Sequence, residues 1–437
     1  MTERRSLLIR AGRPALIVLG LALAILLIVN SDPFDQEPDV GTVGEVASES
    51  TVHTSENAAI DLLELAAASG RESSGRAGSE DPGLDQDWLD RYPGASCNPR
   101  SQLGCLARLR EDLARAPVED ARLLMLIDRY RAARRRAHFD ESAVLRSGSA
   151  VQPEYAMALR LARINIAVQL ERFGVDAALA ELQADRAFWE RVLRQGDSML
   201  ARMVAVAGLW SQLQFVAELV QAGTLSLDQL RVADATVLSL PEDALDLGPA
   251  FATEQRSLPS ALDDLRAQQP LIRRAFIALT LQPNATLNRF NRQLTRPMIE
   301  LAGASPEAFR MRVDEGLQPD FGHRVMPPGL FNLGGTMLLQ PFRSHRPWDY
   351  IGRIHDLSGM LGLVRLQIEI ERSSNGTMGL ESDVVQRVVD DSRERDPYTG
   401  QIVQWDRDTQ TLGFDCYGES VCQVRVRGQL RQFPSST

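Results

Sequence analysis

Apolar and polar positions divide this chain into stretches of different character. Residues 14–30, PALIVLGLALAILLIVN, carry no charge and are apolar up to a closing Asn. Residues 31–96 are rich in Ser, Gly, Glu and Asp, with little apolar matter. From Cys97 the apolar residues recur at helical spacing. Leu123, Leu124, Leu126, Ile127 and Tyr130 mark one helix, and Tyr155, Leu159, Ile166 and Leu170 a second that ends near Gly174. A third runs from Val175 past Phe188 and Trp189 to Gly196. A fourth carries Met199, Met203, Val206, Leu209, Trp210, Leu213 and Phe215 to Gly223, and Ser226 is placed to cap a fifth. Short Gly-bearing turns between them favour antiparallel neighbours.

The pattern loosens at Pro241 and resumes over 271–281. Pro327-Pro328-Gly329 and Gly334-Gly335 then mark a long connection, before a strongly apolar helix over 348–371 and a shorter one over 382–392. The end changes style. Asp396-Pro397-Tyr398-Thr399-Gly400 has the residues of a turn, and 402–405, 411–414 and 421–426 read as strands. The expected fold is mainly α: a transmembrane helix (14–30), a disordered acidic tether (31–96), a helical bundle or array (97–302), an irregular connection (303–346), and a small α+β module with a hairpin (347–437). Within the tether, 57–68 has a helical period and is read as a transient helix, with docking onto a partner or onto the protein's own body as the alternative.

Charge sharpens the first two assignments. Arg4, Arg5, Arg10 and Arg13 precede the apolar run, and acids follow it, an asymmetry that leaves the N-terminus cytoplasmic and exports the rest. At 1.5 Å per residue the run reaches about 24 Å against a hydrocarbon layer of roughly 30 Å, so Arg13 must snorkel for a single span. A cleaved signal peptide is the rival, but Val29-Asn30-Ser31 makes only a fair cleavage site, and a retained inner-membrane anchor is expected. Of the net charge of −10, residues 1–13 contribute four Arg less one Glu, and residues 31–95 contribute three Arg against fifteen acids, so the remainder is nearly neutral. Such a body has no nucleic-acid footprint.

All 48 basic residues are Arg, which excludes Schiff-base chemistry, pyridoxal-phosphate attachment and a Walker A lysine. The four cysteines form two local pairs, Cys97/Cys105 and Cys416/Cys422, read as disulfides of an oxidising compartment rather than free thiols or metal ligands, which would want closer spacing or histidines. No metal or other cofactor is expected. The densest set of acid/base groups is His345, Asp349, His355 and Asp356; an anchoring His–carboxylate hydrogen bond is the plain reading and a catalytic group the sharper one. Arg129, Arg131, Arg134, Arg135 and Arg136 close a predicted helix and read as cations complementing its C-terminus and the acidic tether, against a headgroup-binding patch. Pro283-Asn284-Ala285-Thr286-Leu287-Asn288 reads as a helix break and buried polar turn.

Four stretches resemble a family of membrane-anchored, exported bacterial proteins: Cys97 to Cys105 with the following Leu-Ala-Arg-Leu-Arg, Pro283 to Asn288, Arg353-Ile-His-Asp356, and Asp396-Pro-Tyr-Thr-Gly-Gln401. The resemblance implies a mostly helical exported domain and carries no activity. The apolar helix, DPYTGQ and terminal hairpin are also similar to the C-terminal part of type II secretion pseudopilins, although residues 14–30 lack the pseudopilin processing site and glutamate. The expected function is a non-enzymatic binding or assembly role in the cell envelope with a protein partner. The alternative is a cell-envelope hydrolase with its site in 323–356, using His345, His355 and Asp356.

Overall fold

The computed structural model describes residues 56–68, 91–116, 121–141, 153–315, 332–339, 346–374, 382–418 and 420–426. The predicted anchor at 14–30 and His345 lie outside the described residues. The fold is mainly helical, with a small antiparallel sheet near the C-terminal end. The chain forms two compact units, each described by itself.

The larger unit draws on Ser48–Ala250, Ala304–Met311 and Asp349–Thr437. Its first helix, α1 (Ala58–Ala68), lies inside the stretch read as tether. That reading fails here because Ala58, Ala59, Leu62 and Leu65 are buried. Two buried leucines contribute roughly 3–6 kcal/mol, enough to hold a short helix that would be transient alone. Asn57 seals the contact: its Nδ2 donates to Asp140 O at 2.8 Å, and Asp140 N donates to its Oδ1 at 3.0 Å. The 3-10 turn Pro93–Ser96 follows, then α2 (Cys105–Arg115), α3 (Ala121–Arg134), α4 (Tyr155–Phe173), α5 (Val175–Gln195), α6 (Met199–Gln221) and α7 (Leu227–Thr236). The sequence boundaries of α4 to α7 were legible because caps and glycines sit at them. Ser198 Oγ accepts from Ala201 N at 3.0 Å, and Ser226 with Gln229 forms a full capping box.

Phe188, Trp189, Trp210 and Phe215 fill the core between α5 and α6. Gly208 allows the approach, since a Cβ there would stand 2.6 Å from the Trp189 ring. Among the described residues, α6 is the one helix long and apolar enough to cross a membrane, and 78% of its most apolar window is buried inside the protein. Here it is the central core helix.

Three of the five arginines of the predicted cluster make ion pairs within the protein, while Arg129 and Arg135 are exposed. Arg134 pairs with Asp185 and, at 2.5 Å, with Glu181; Arg131 reaches Glu181 at 3.0 Å; Arg136 binds Asp61 of α1 at 2.5 Å. Asp185 is fully buried, and that burial pushes its carboxyl up to about 6 against the pull of Arg134.

The short α8 (Glu242–Leu245) precedes α9 (Gly248–Ala267), whose residues from Phe251 onward belong to the smaller unit. That unit groups Phe251–Gly303 with Arg312–Trp348, so the helical domain expected over 97–302 is divided. It contains α10 (Leu271–Thr280), α11 (Pro283–Phe290), a π-helical turn Asn291–Thr295, α12 (Arg296–Ala302) and, after α13 (Pro306–Asp314), α14 (Leu333–Leu338). Two helices therefore lie within the described part of the stretch expected as an irregular connection over 303–346. Asn332 explains α14: its Oδ1 accepts from Gly335 N at 3.2 Å as N-cap and from Gln282 N at 3.0 Å. Thr286, fully buried, bonds the same Asn332; the break before Pro283 and the buried polar side chains are as read, but Pro283 to Asn288 is the start of helix α11 and not a turn.

The last elements are α15 (Trp348–Ser373), α16 (Ser382–Asp391), β1 (Gln404–Asp406), β2 (Thr411–Gly413) and β3 (Gln423–Arg425). The strands form an antiparallel sheet in the order β1-β2-β3. They do not stand with α15 as a separate C-terminal module. From Asp349 onward they belong to the larger unit, because α15 buries Ile351, Ile354, Leu357, Leu361, Val364 and Ile368.

Candidate functional site

Three of the four stretches singled out in the sequence meet around Asp356, in the larger unit. The apolar stripe of α15 carries His355 and Asp356 inward, and both are buried. The DPYTGQ segment is the expected turn: Asp396 Oδ1 accepts from Tyr398 N at 2.8 Å, and Gly400 N donates to Asp396 O at 2.9 Å. The turn aims Tyr398 at α15, where its Oη donates to Asp356 Oδ1 at 2.7 Å. Tyr417 N donates to the same oxygen at 2.8 Å. Gly352 makes room for this loop, because a Cβ there would stand 2.1 Å from the Tyr417 ring.

Both cysteine pairs are bridged, Cys97–Cys105 and Cys416–Cys422, with Cα separations of 5.7 and 5.6 Å. The loops they close meet each other. Val421 N donates to Arg100 O at 2.7 Å, and Arg100 Nη2 donates to Ser420 Oγ at 2.5 Å. The Arg100 guanidinium also lies 5.6 Å above the Trp210 ring, and burial lowers it to about 10.

Burial pushes the Asp356 carboxyl up to about 6, and the Tyr417 N–H and Tyr398 hydroxyl work against that shift. Burial lowers His355 to about 4, so its imidazole is neutral at pH 7. Its ring lies 5.1 Å from Phe309 and 6.4 Å from Tyr398, and its Nε2 has no hydrogen-bond partner. Among the described residues the anchoring of a loop falls to Asp356, through two tyrosines and not through His355. Tyr398, Tyr417 and Phe309 were missed as partners. A tyrosine inside a Pro-Tyr-Thr-Gly turn, and another beside a cysteine, were the available signals.

A second feature of the same unit is an open groove of about 820 Å³ between α2, α6 and β3. Its walls are tied together by buried polar groups. Gly104, the N-cap of α2, has no side chain to offer, and Glu218 of α6 replaces it by accepting from Leu106 N at 3.1 Å and Ala107 N at 3.0 Å. Burial raises this carboxyl above its usual range even so. Gln367 Nε2 donates to Ala217 O at 3.0 Å and Arg425 O at 2.7 Å, clamping β3 to α6. An Arg110–Glu171 ion pair sits on the lining, and Gln214, also on it, is buried with its Nε2 unpartnered. Glu218 and Gln214 left one sequence signal, polar residues four apart on a largely apolar helix that also carries Arg202, Ser211 and Gln212. No family model, curated protein or solved structure matches the chain.

Proposed function

We propose that the chain is a single-pass protein of the bacterial inner membrane whose exported helical body has a non-enzymatic binding or assembly role in the cell envelope. Its protein partner docks in the groove between α2, α6 and β3. The observation that carries this reading is the open groove of about 820 Å³ whose walls are braced by Glu218 and Gln367. Among the described residues β3 is an edge strand of its sheet, so an extended partner segment has main-chain groups to follow there besides Arg425 O, which Gln367 takes. The braces made by Glu218 and Gln367 hold the groove walls in place without the partner, which lowers the ordering cost of binding.

Support for the membrane and export parts comes from the apolar 14–30 segment behind four arginines and from the bridged cysteines, which suit an oxidising compartment. The resemblance to membrane-anchored exported proteins points the same way. A photo-crosslinking residue at Gln221, within the groove, tests the reading against one at Arg231, exposed on α7. A discrete adduct from Gln221 alone, lost when Ala107→Trp fills the groove, is expected. Equal adducts from Arg231, or an adduct indifferent to Ala107→Trp, would overturn the docking site.

A further inference from the structure

The Cys416–Cys422 bridge lies against the carboxyl of Asp356. One ligand atom each from Asp356, Cys416 and Cys422 lie within 4.8 Å of one another. Asp356 and Cys422 are buried and Cys416 is half-buried. Asp356 Oδ1 is taken by Tyr398 and Tyr417, but its Oδ2 is out of solvent with no hydrogen-bond partner. A buried carboxylate oxygen in that state wants a proton donor or a cation, and one oxygen of the same carboxylate lies within 4.8 Å of both sulfurs.

We propose that Asp356, Cys416 and Cys422 form a three-donor site for a borderline-soft divalent cation of the zinc type, available once the Cys416–Cys422 bridge is reduced. Reduction by a dithiol adds two electrons and two protons to the bridge, giving two thiols, and the dithiol leaves as its own disulfide. The cation then displaces both thiol protons to solvent and binds two thiolates and the carboxylate. With bonds of roughly 2.0–2.3 Å, donors around a tetrahedral ion stand somewhat under about 4 Å apart, so the carboxylate has to move in only slightly, while the two sulfurs, bonded to each other in the bridge, must move apart once it is reduced. The three anionic donors leave the site at −1 with a dication bound. Arg100 and Arg310 act on the charge of Asp356 in the opposite sense. Water from the half-exposed Cys416 side fills the fourth position. The Cys-x₅-Cys spacing alone is no metal motif; the fold supplies the third donor from α15. This inference does not depend on the groove.

The full chain is reduced with a phosphine, which takes its oxygen from water and leaves both thiols protonated, and is then titrated with Co²⁺ without oxygen. One cobalt per chain is expected, with the visible bands of a tetrahedral thiolate site, displaced by Zn²⁺ and absent from the oxidised chain. Zn²⁺ should slow alkylation of Cys416 and Cys422 and leave that of Cys97 and Cys105 unchanged, because the latter pair lies beside the neutral Gln102. Asp356→Asn should weaken binding at least tenfold, since losing even an outer partner of a metal site costs about 10–100-fold. Equal protection of both pairs, failure to take up cobalt, or affinity untouched by Asp356→Asn overturns the proposal. The alkylation comparison uses the unsubstituted chain, so it holds if the Asn variant misfolds.

Discussion

Replacing Asp356 by Asn tests the electrostatics of the site directly. Asn keeps an oxygen to accept from Tyr398 Oη and Tyr417 N, and it never ionises. Burial moves the native carboxyl from 3.8 to about 6. Between those values the native state holds a proton that the unfolded chain has released. Stability therefore falls as pH rises through this window, by up to about 1.4 kcal/mol per unit for one group. Over about two units the loss is roughly 3 kcal/mol, fully present below pH 4 as stability and gone above pH 6. Asp185 titrates in the same window, so the wild-type profile alone cannot separate them. The difference between wild type and Asp356→Asn can. Urea unfolding followed by the fluorescence of the buried Trp189 and Trp210 should show the Asn variant gaining about 3 kcal/mol relative to wild type from pH 4 to pH 7. Parallel profiles across that range would refute the claim that Asp356 is a carboxyl held in a desolvated site.

Three further outcomes follow from the packing. Glu218→Ala removes the groups that accept from Leu106 N and Ala107 N, and should cost about 1–3 kcal/mol in urea unfolding with early hydrogen exchange at the start of α2. Gly208→Ala drives a methyl into the Trp189 ring, and a loss of about 1–3 kcal/mol measured by thermal unfolding is expected; an unchanged midpoint would mean that α5 and α6 are not closely packed there. Leu62→Ala, at a fully buried position, should cost about 2–5 kcal/mol and expose α1 to limited proteolysis, whereas a cleavage pattern matching wild type would return α1 to the tether.

Much of the larger unit was legible residue by residue. The helices between Tyr155 and Thr236 follow from apolar spacing with Gly174, Gly196, Gly223 and Ser226 at or near their ends, and these are short-range effects written in adjacent residues. The same holds for the two local disulfides, the Asp396–Gly400 turn and the three strands, each within a residue or two of its observed place. What only the tertiary structure decided concerns partners far apart in the chain. Nothing near 58–68 says that Leu62 will be buried, so a helix with too little apolar area to persist alone was assigned to a tether. Nothing near Gly104 announces that Glu218 will cap α2, and nothing near Asn332 announces Thr286. The regrouping of Phe251–Gly303 with Arg312–Trp348 has the same cause, since compactness is a property of long-range contact and not of any local period. Asp356 shows the division at its clearest: its position on an apolar helix could be read, but its hydrogen bonds to Tyr398 and Tyr417 and its nearness to Cys416 and Cys422 arise only when α15 and the C-terminal loops come together. A buried charge is chemically active only through its surroundings, and those were assembled by folding.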